Sequence, residues 1–281
     1  MWITPPVLDE IVDRALREDL SGGDVTTQAT VPEGAQAVAT ARAKSPLVVA
    51  GAVVFARVFE RVLPTVRFEA LVPDGAAVAP GVDVWRVHGS AQALLMAERT
   101  ALNLTQRMCG TATLARAFVA ALPSGSRTRV TDTRKTTPGL RVLERYAVRC
   151  GGAHNHRDNL GSAVLIKDNH IVAAGGLAEA VARARQLAPH TSAVEVEVQS
   201  MEQLEQAIAV RADVIMLDNF SLDGLRAAVA RARGHAVREA SGGVTLETIT
   251  AIAATGVDLV SVGALTHSAP AADLSLGLAL A

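Results

Sequence analysis

The feature that most constrains the fold is a regular alternation of apolar runs and helical stretches between Arg127 and Gly263. Six runs rich in β-branched residues follow one another, "RTRVTDT", "SAVLIKD", "AVEVEV", "ADVIMLD", "HAVREA" and "VDLVSVG". The stretches between them have helical periodicity, as over residues 138–150, 177–187 and 201–210. Repeated strand–helix units predict a parallel sheet, either closed into a barrel or open and doubly wound. Because no glycine-rich dinucleotide fingerprint follows any of the strands, the barrel is favoured.

Residues 1–110 lack this alternation. An amphipathic helix fits residues 7–19, and short β-like runs follow over 35–43 and 66–72. A long helical pattern closes the region, "QALLMAERTALNLTQRMCGTATLARAFVAAL". The change of pattern predicts a separate N-terminal domain.

Composition and charge limit the classes of protein to which the chain can belong. The chain has 281 residues, of which 27 are basic and 28 are acidic. Hydrophobic residues make up 49% of the chain. A net charge of −1 argues against a nucleic-acid-binding protein that relies on overall electrostatics. The charged start does not fit a signal peptide, and no apolar run reaches the roughly 18 residues of a membrane helix. We expect a cytoplasmic globular protein with no nucleic-acid or membrane partner.

Positive charge is concentrated in one segment of this near-neutral chain, residues 131–157. The segment contains six Lys or Arg residues, two His and only two acids. Of the 27 basic residues in the chain, only Lys44, Lys135 and Lys167 are lysines. Because the chain uses Arg wherever a general positive charge suffices, a retained Lys is expected where a compact charge or a titratable amine is needed. The segment predicts a local anion-binding surface.

Charged, small or hydrogen-bonding residues follow each of the six predicted strands. In α/β barrels the loops that carry catalytic residues converge at these C-terminal strand ends. The series is Arg134 and Lys135, then Lys167 and Asp168, Glu197, Asp218 and Asn219, Ser241 with Gly242 and Gly243, and finally Gly263 with His267. Along the chain the series changes from cationic to acidic to glycine-rich residues. This order predicts an enzyme that joins an anionic small molecule to a phosphorylated, magnesium-bound one.

The cationic side chains, together with His156 and Arg157, are expected to form a pocket for a multiply charged anion. Arg offers a planar fork that fits a carboxylate, and Lys offers a point charge. Arg141 and Arg145 are expected instead to make salt bridges on the exposed face of the following helix.

Two carboxylates at the ends of neighbouring strands predict a magnesium site. Glu197 and Asp218 suit Mg²⁺ that is held jointly with the phosphates of a substrate. Glu195 points the same way as Glu197 in the pleat, so one of the two is expected to face the barrel interior. An ion pair between Glu195 and Lys167 is an equally good interpretation.

Two glycine turns after the last strands predict a phosphate site. "EASGGVTLE" places Ser241, Gly242 and Gly243 directly before a helix, where backbone N–H groups and the helix dipole attract phosphate. "SVGALTHS" offers a second turn at Gly263, and His267 either helps there or is an ordinary loop residue. Barrels often bind phosphate with their last two strands.

These segments together resemble the quinolinate phosphoribosyltransferase family, the carboxylating nicotinate-nucleotide pyrophosphorylases. The resemblance rests on "DLSGGDVTT", "AERTALNL", "DTRKTTPGLR", "YAVRCGGAHNHR", "LIKDNH", "EVEV", "LDNF", "EASGG" and "VGALTHS", in this order. It implies an α/β fold with an N-terminal α/β sandwich domain and an incomplete α/β barrel of seven strands. We place these domains at residues 1–110 and 111–265, with the tail 266–281 packing back on the first.

The resemblance also implies a reaction and an assembly. Phosphoribosyl pyrophosphate and quinolinate would react, with Mg²⁺, to give nicotinate mononucleotide, pyrophosphate and carbon dioxide in NAD biosynthesis. The protein would form a homodimer, or a higher assembly, in which Arg99 of one subunit reaches the active site of its neighbour.

Residue roles follow motif by motif from the resemblance. Arg134, His156 and Arg157 would hold the two carboxylates of quinolinate. The implied catalytic residues are Lys135, Lys167, Glu197 and Asp218, and the last two would bind the metal directly or through the metal-bound donor. The substrate-binding set is Arg99, Thr133, Arg134, Lys135, His156, Arg157, Lys167, Glu197, Asp218, Ser241, Gly242, Gly243, Gly263 and His267.

Three alternatives remain open. Lys167 could form a Schiff base as in barrel aldolases, although the adjacent Asp168 and other predicted charges oppose the apolar pocket that this needs. A paralogue of the same fold, such as the molybdenum-transport-associated relative, would act on another anion. A non-catalytic binding protein is the third, and the retained carboxylates argue against it. Cys109 is a departure, since the family more often has Ser there, in a helix expected to serve packing.

Overall fold

The computed structural model describes residues 3–281. The first part of the chain contains α1 (Pro5–Leu20), α2 (Val25–Thr30), β1 (Gln36–Ala43), β2 (Leu47–Val48), α3 (Ala52–Val62), β3 (Arg67–Ala70), β4 (Ala77–Val78), β5 (Asp83–Ser90) and α4 (Ala91–Ala120). The remainder contains β6 (Arg129–Thr131), α5 (Arg141–Cys150), β7 (Val164–Ile166), α6 (Asp168–Ala174), α7 (Leu177–Leu187), β8 (Val194–Val198), α8 (Met201–Ala209), β9 (Val214–Asp218), α9 (Leu222–Ala232), β10 (Val237–Ser241), α10 (Ile249–Ala253), β11 (Leu259–Ser261), α11 (Ala264–His267) and β12 (Leu274–Leu280).

The chain divides into two compact units. The first unit runs to Arg116 and also takes in residues 136–152 and 265–281. The second unit comprises residues 117–135 and 153–264. Each unit is discontinuous along the chain, whereas the sequence analysis divides the chain at residue 110.

The first unit contains an antiparallel sheet with the strand order β12-β1-β5-β3. The C-terminal strand pairs with β1 from Ala37↔Leu280 to Ala43↔Leu274. Helix α1 and strands β1 and β3 confirm the elements predicted at residues 7–19, 35–43 and 66–72.

The core of the first unit is apolar. Phe55 on α3 packs with its ring centroid 5.0 Å from that of Phe59 and 4.8 Å from that of Trp85 on β5. Small residues of β1, such as Ala39 and Ala41, are fully buried, so the helices approach the sheet closely. Cys109 on α4 belongs to this core, and burial raises the pKa of its thiol to about 12. The predicted packing role of its helix is confirmed.

The second unit contains a parallel sheet with the strand order β6-β11-β10-β9-β8-β7. All six apolar runs of the sequence form its strands. Within residues 3–281 the sheet has six strands, and a single parallel bridge joins Thr131 at the end of β6 to His154. The expected seventh strand is therefore represented there by one bridge only.

The two faces of this sheet differ in chemistry because in-register parallel neighbours point to the same side. Val194, Val196 and Val198 of β8 are buried with apolar side chains of the neighbouring strands. The opposite face carries Met216 and otherwise mainly polar residues, matched by register as Glu197↔Met216, Met216↔Glu239, Asp218↔Ser241 and Ser261↔Thr131. We call this second side the polar face.

Helix α5 corrects one expectation. Arg145 was expected to lie on an exposed helix face, but it is only 3% exposed. The helix buries neighbouring positions on several sides, including Leu143 and the fully buried Glu144. Arg141 is half-buried, and its Nε donates a hydrogen bond to Thr136 Oγ1. Among residues 3–281, none of the helices combines the length and the apolar composition that a bilayer crossing requires.

Candidate active site

The cationic segment is attached to the end of β6 by a buried carboxylate. Asp132 is fully buried, and it accepts hydrogen bonds from His156 N at 2.7 Å and from Asn155 Nδ2 at 2.6 Å. The backbone of His154 pairs on both sides with β6, since its N donates to Val130 O and its O accepts from Asp132 N. The motif "HNHR" is therefore fixed beside "DTRK", although some twenty residues separate them.

Arg134 and Arg157 lie in the same electrostatic environment. Burial lowers the pKa of the Arg157 guanidinium, and the positive charge of Arg134 lowers it further. Arg157 Nη1 donates a hydrogen bond to Ala163 O at 3.1 Å, which fixes one side of the guanidinium. The negative charge of Glu195 acts in the opposite direction and raises the pKa of Arg157. Thr133 and Lys135 adjoin the pair, with Lys135 N donating to Thr133 Oγ1 at 3.1 Å.

His156 faces the polar face of the sheet. Its Nε2 lies 3.2 Å from Glu195 Oε2 and 3.5 Å from Glu239 Oε1. Burial lowers the pKa of His156, but the hydrogen bonds and charges of the two glutamates outweigh burial and raise that pKa to about 10. Burial also raises the pKa of Glu195, and the charge of Glu239 adds to this effect.

Lys167 pairs with Glu197 rather than with Glu195. Lys167 Nζ forms a close ion pair with Glu197 Oε2, and the Glu197 side chain is only 10% exposed. Glu195 instead contacts His156, so the interpretation of a Glu195–Lys167 ion pair was wrong. Both glutamates point to the polar face, as their spacing of two predicts. The ion pair places the Lys167 ammonium beside a carboxylate rather than in the apolar pocket that a Schiff-base lysine needs.

Asp218 ends β9 beside a tight turn. Asn219 adopts a left-handed conformation with φ of 58°, and its Nδ2 donates to Asp218 Oδ2 at 2.8 Å. Gly242 follows β10 and approaches Asn219 so closely that a Cβ would lie 2.1 Å from Asn219 Oδ1. Only glycine fits at this position, which explains the first glycine of "SGG".

The glycine turns differ from the expectation of a helix N-terminus. Residues 244–248 separate Gly243 from α10, so the dipole of that short helix does not begin at the turn. Gly243 has φ of +56°, and a Cβ added there would have no neighbouring atom within 4 Å. Gly263 directly precedes α11, a helix of four residues. The prediction that "SGG" opens a helix was wrong, and what remains is an open backbone turn next to Ser241.

Two of the expected site residues belong to the first unit. Arg99 lies on α4 and is exposed. His267 is the last residue of α11 and is also exposed, with Nδ1 beside Ser268 Oγ. The remaining expected residues, from Thr133 to Gly263, all lie in the second unit.

Three residues of this region, Asp132, Glu239 and Ser261, were not predicted from the sequence. Glu239 precedes Ser241 by two residues in the same strand, so the period of two places it on the face that carries the predicted site. Asp132 is an acid within a strongly cationic segment, which is a second usable signal. Ser261 has no such signal, because its contact with Glu239 depends on strand order.

Sequence models of one family match almost the whole chain. The quinolinate phosphoribosyl transferase C-terminal domain matches residues 111–277, and the N-terminal domain of the same family matches residues 24–109.

Individual relatives agree with this match. The nicotinate-nucleotide pyrophosphorylase [carboxylating] of Mycobacterium leprae is 44% identical over 275 residues, which cover 96% of this chain and 96% of that protein. The human protein of the same name is 42% identical over 281 residues, covering 98% of this chain and 93% of the human one. The crystal structure of NadC from Streptococcus pyogenes superposes with a TM-score of 0.95 at 42% identity, covering 100% of this chain and 99% of that chain.

Proposed function

The chain belongs to the quinolinate phosphoribosyltransferase family, and from that membership we propose how its residues carry out the reaction. The enzyme transfers the phosphoribosyl group of phosphoribosyl pyrophosphate to quinolinate, with decarboxylation. The products are nicotinate mononucleotide, pyrophosphate and carbon dioxide, a step of NAD biosynthesis. The relatives' names describe this carboxylating chemistry rather than that of a paralogue acting on another anion.

The observation that carries the assignment of the acceptor site is the like-charged pair Arg134 and Arg157. Burial and the neighbouring charge of Arg134 lower the pKa of Arg157, whereas the negative charge of Glu195 raises it, so the two guanidinium groups lie close enough to act on one anion. Quinolinate carries two adjacent carboxylates. Each guanidinium offers two parallel N–H donors to a carboxylate, so two arginines match the two charges of the ligand.

Thr133 and Lys135 complete the acceptor side of the site. Lys135 is exposed at the end of the β6 loop, where its ammonium adds positive charge for quinolinate or for the departing pyrophosphate. The Thr133 hydroxyl accepts from Lys135 N and thereby shapes this loop.

The donor side uses the next strand ends. Glu197 lies near the end of β8 and Asp218 ends β9, both on the polar face, where two negative charges can stabilise positive charge that develops on the ribose. Lys167, paired with Glu197, provides a cation at the same edge for the pyrophosphate. Ser241, Gly242, Gly243 and Gly263 offer backbone N–H groups for the 5′-phosphate, since such open turns bind anions.

The carboxylates fit a magnesium ion that arrives with the donor. Glu197 and Asp218 supply hard oxygen ligands at the ends of neighbouring strands, and Mg²⁺ prefers one or two carboxylates together with substrate phosphates. Glu197 already contacts Lys167, which suits a shared ion better than a dedicated protein cage. When bound, the ion neutralises charge on the pyrophosphate.

The reaction needs three changes of bonding. The bond from ribose C1′ to the pyrophosphate oxygen breaks, and its electron pair leaves with pyrophosphate. The pyridine nitrogen then donates its lone pair to C1′, which makes the ring cationic. The ring carbon next to this nitrogen loses its carboxylate as carbon dioxide, keeps the bonding pair and takes up a proton. Preorganised cations at Arg134, Arg157 and Lys135 hold both anionic substrates in place, so little reorganisation is needed during the reaction.

Two larger features belong to the same proposal. The six parallel strands and the bridge at His154 form an incomplete barrel, in which the bridge takes the position of a seventh strand. The sheet edges β6 and β7 are consecutive in the chain, which supports this arrangement. We also place the protein in a homodimer in which Arg99, an exposed cation on α4, completes the partner's site.

The assignment is tested by turnover of the purified protein with phosphoribosyl pyrophosphate and Mg²⁺. Pyrophosphate and carbon dioxide are measured with quinolinate, and pyrophosphate is measured with nicotinate as the alternative acceptor. We expect turnover with quinolinate alone, because nicotinate has one carboxylate for two arginines. Equal turnover with nicotinate, or no turnover with either acid, would contradict the assignment.

A further inference from the structure

Among the strand ends of the proposed site, the one that carries Lys167 has the least support from the sheet. Lys167 follows β7, which lies at one end of the strand order and, within residues 3–281, pairs with β8 alone. Glu197 and Asp218 belong to strands that are hydrogen-bonded on both sides. The Lys167 side chain is 45% exposed, and its four-carbon stem is flexible. The position of its ammonium therefore depends on how firmly its backbone is held.

The sheet register places Lys167 beside its ion-pair partner. Ile166 is matched to Val196, so the residues that follow them, Lys167 and Glu197, lie at the same level. Lys167 Nζ forms its close ion pair with Glu197 Oε2 across this step. The ion pair fixes the tip of the lysine side chain, and a second contact must fix its base.

His170 supplies that second contact. Lys167 is the N-cap of α6 and has extended backbone angles, with φ of −114° and ψ of 171°. Its N donates a hydrogen bond to His170 Nδ1 at 2.9 Å, and its O accepts from His170 N, also at 2.9 Å. A side chain in the first helical turn that bonds back to the N-cap N–H forms one half of a capping box. His170 thus engages both backbone polar groups of Lys167.

The type of residue at this position bears on the charge of the site. Because Nδ1 of His170 accepts a hydrogen bond, the ring proton lies on Nε2 and the imidazole is neutral in this arrangement. The usual capping-box residues are Glu and Gln. A glutamate would add a negative charge close to the ammonium of Lys167 and weaken its attraction for an anion. The imidazole makes the same backbone contact without that charge.

We propose that His170 is a positioning residue for the phosphoribosyl donor, whose imidazole fixes the backbone of Lys167 and so directs the ammonium towards the pyrophosphate group. The inference rests on the proposed function, because it assumes that Lys167 binds pyrophosphate. It gives a role to the last residue of the motif "LIKDNH". His170 acts through Lys167, so its effect is confined to the donor.

The test compares donor affinity with acceptor affinity in His170→Ala. Phosphoribosyl pyrophosphate with Mg²⁺ is titrated by calorimetry in the presence of phthalate, which has two adjacent carboxylates but no ring nitrogen to react. Quinolinate is titrated separately. We expect donor binding to weaken by about fivefold, because one hydrogen bond that fixes the lysine is lost. Quinolinate affinity should stay within about twofold of the wild-type value, and only KM for the donor should rise.

Three further variants separate positioning from general damage. His170→Gln keeps an acceptor for Lys167 N and should bind the donor within about twofold of the wild type. His235→Ala removes an exposed histidine of the same unit and should leave both affinities unchanged. In the background of Lys167→Ala, adding His170→Ala should cause no further loss of donor affinity, since the histidine acts through the lysine.

Distinct results would overturn the inference. If His170→Ala binds the donor as tightly as the wild type, or if its loss persists in the Lys167→Ala background, the histidine does not position the lysine. Equal losses of donor and quinolinate affinity would also overturn it, because they indicate general disruption at the end of β7. Wild-type protein that releases no pyrophosphate from the donor and quinolinate would refute the proposed function itself, whereas failure of the positioning role alone leaves that turnover intact.

Discussion

The two compact units bury different kinds of side chain. In the first, aromatic residues such as Phe55 and Trp85 and small residues of β1 form an apolar core. In the second, one face of the parallel sheet is apolar, whereas the other carries Glu195, Glu239 and Ser261. An apolar core stabilises the fold, but it does not orient polar side chains. A hydrogen-bonded interior does orient them, and burying their polar groups costs free energy of desolvation. The difference agrees with the proposal that most of the site residues lie in the second unit.

Buried carboxylates occur in both units, but their surroundings differ. Glu144 in the first unit is fully buried and accepts hydrogen bonds from Arg107 and from both the N and the Oγ1 of Thr137. Glu195 in the second unit accepts from His156, while its Oε1 receives no hydrogen bond within residues 3–281. A saturated buried charge acts as a structural cross-link, and an incompletely saturated one beside a functional group marks a site.

The largest expected effect tests the structural half of this comparison. Glu144→Ala leaves the Arg107 guanidinium without its carboxylate in a partly buried position. We expect the free energy of unfolding to fall by about 3–5 kcal/mol, as measured by urea denaturation. The control is Glu10→Ala, which breaks an exposed ion pair with Arg14 and should cost less than about 1 kcal/mol. Similar losses in both variants would contradict the comparison.

The next effect tests the functional half. Arg157→Ala should lower kcat/KM for quinolinate by about a hundredfold or more, because truncating one partner of a charge pair costs about 2–5 kcal/mol. The free energy of unfolding should change by less than about 1 kcal/mol, since relief of the repulsion with Arg134 offsets the lost attraction to Glu195 and the lost hydrogen bond to Ala163 O. Arg149→Ala, an exposed arginine of the same cationic segment, is the matched control and should retain activity. A parallel loss of stability and activity in Arg157→Ala would count against an anion site.

A smaller expected effect distinguishes two reasons why a position requires glycine, namely close packing against a neighbour and a positive φ. Gly242 and Gly234 both have positive φ, at +98° and +78°, but only Gly242 has a neighbour that a Cβ would strike. Gly242→Ala should displace the turn and raise KM for phosphoribosyl pyrophosphate by about tenfold. Gly234→Ala should cost about 1–2 kcal/mol of stability through its backbone alone and leave KM unchanged. Equal KM values in the two variants would remove the turn from the donor site.

Most of the fold follows from the sequence because periodicity is a local property. The period of two in "VEVEV" fixes both the strand β8 and the shared side of Glu195 and Glu197. The ion-pair partner of Lys167 is not a local property. In the sequence Glu195 and Glu197 are both candidates, and only the tertiary structure selects Glu197. The sequence likewise predicts that Arg145 is exposed, whereas the residues around α5 bury it.

The same limit applies to the candidate site. Polar residues at strand ends were predictable, because parallel strands bring their carboxyl ends to one edge. The contacts of His156 were not, since Glu239 lies far along the chain, on β10, and no spacing rule connects them. The start of α10 was also predicted wrongly. The sequence "GGVTLE" resembles the beginning of a helix, but it forms a turn, and α10 begins only at Ile249.

The most direct test of the central claim is a crystal structure of the protein with quinolinate bound. The account predicts that the guanidinium groups of Arg134 and Arg157 each lie within hydrogen-bonding distance of a quinolinate carboxylate. Quinolinate bound away from both arginines would contradict the account of the site.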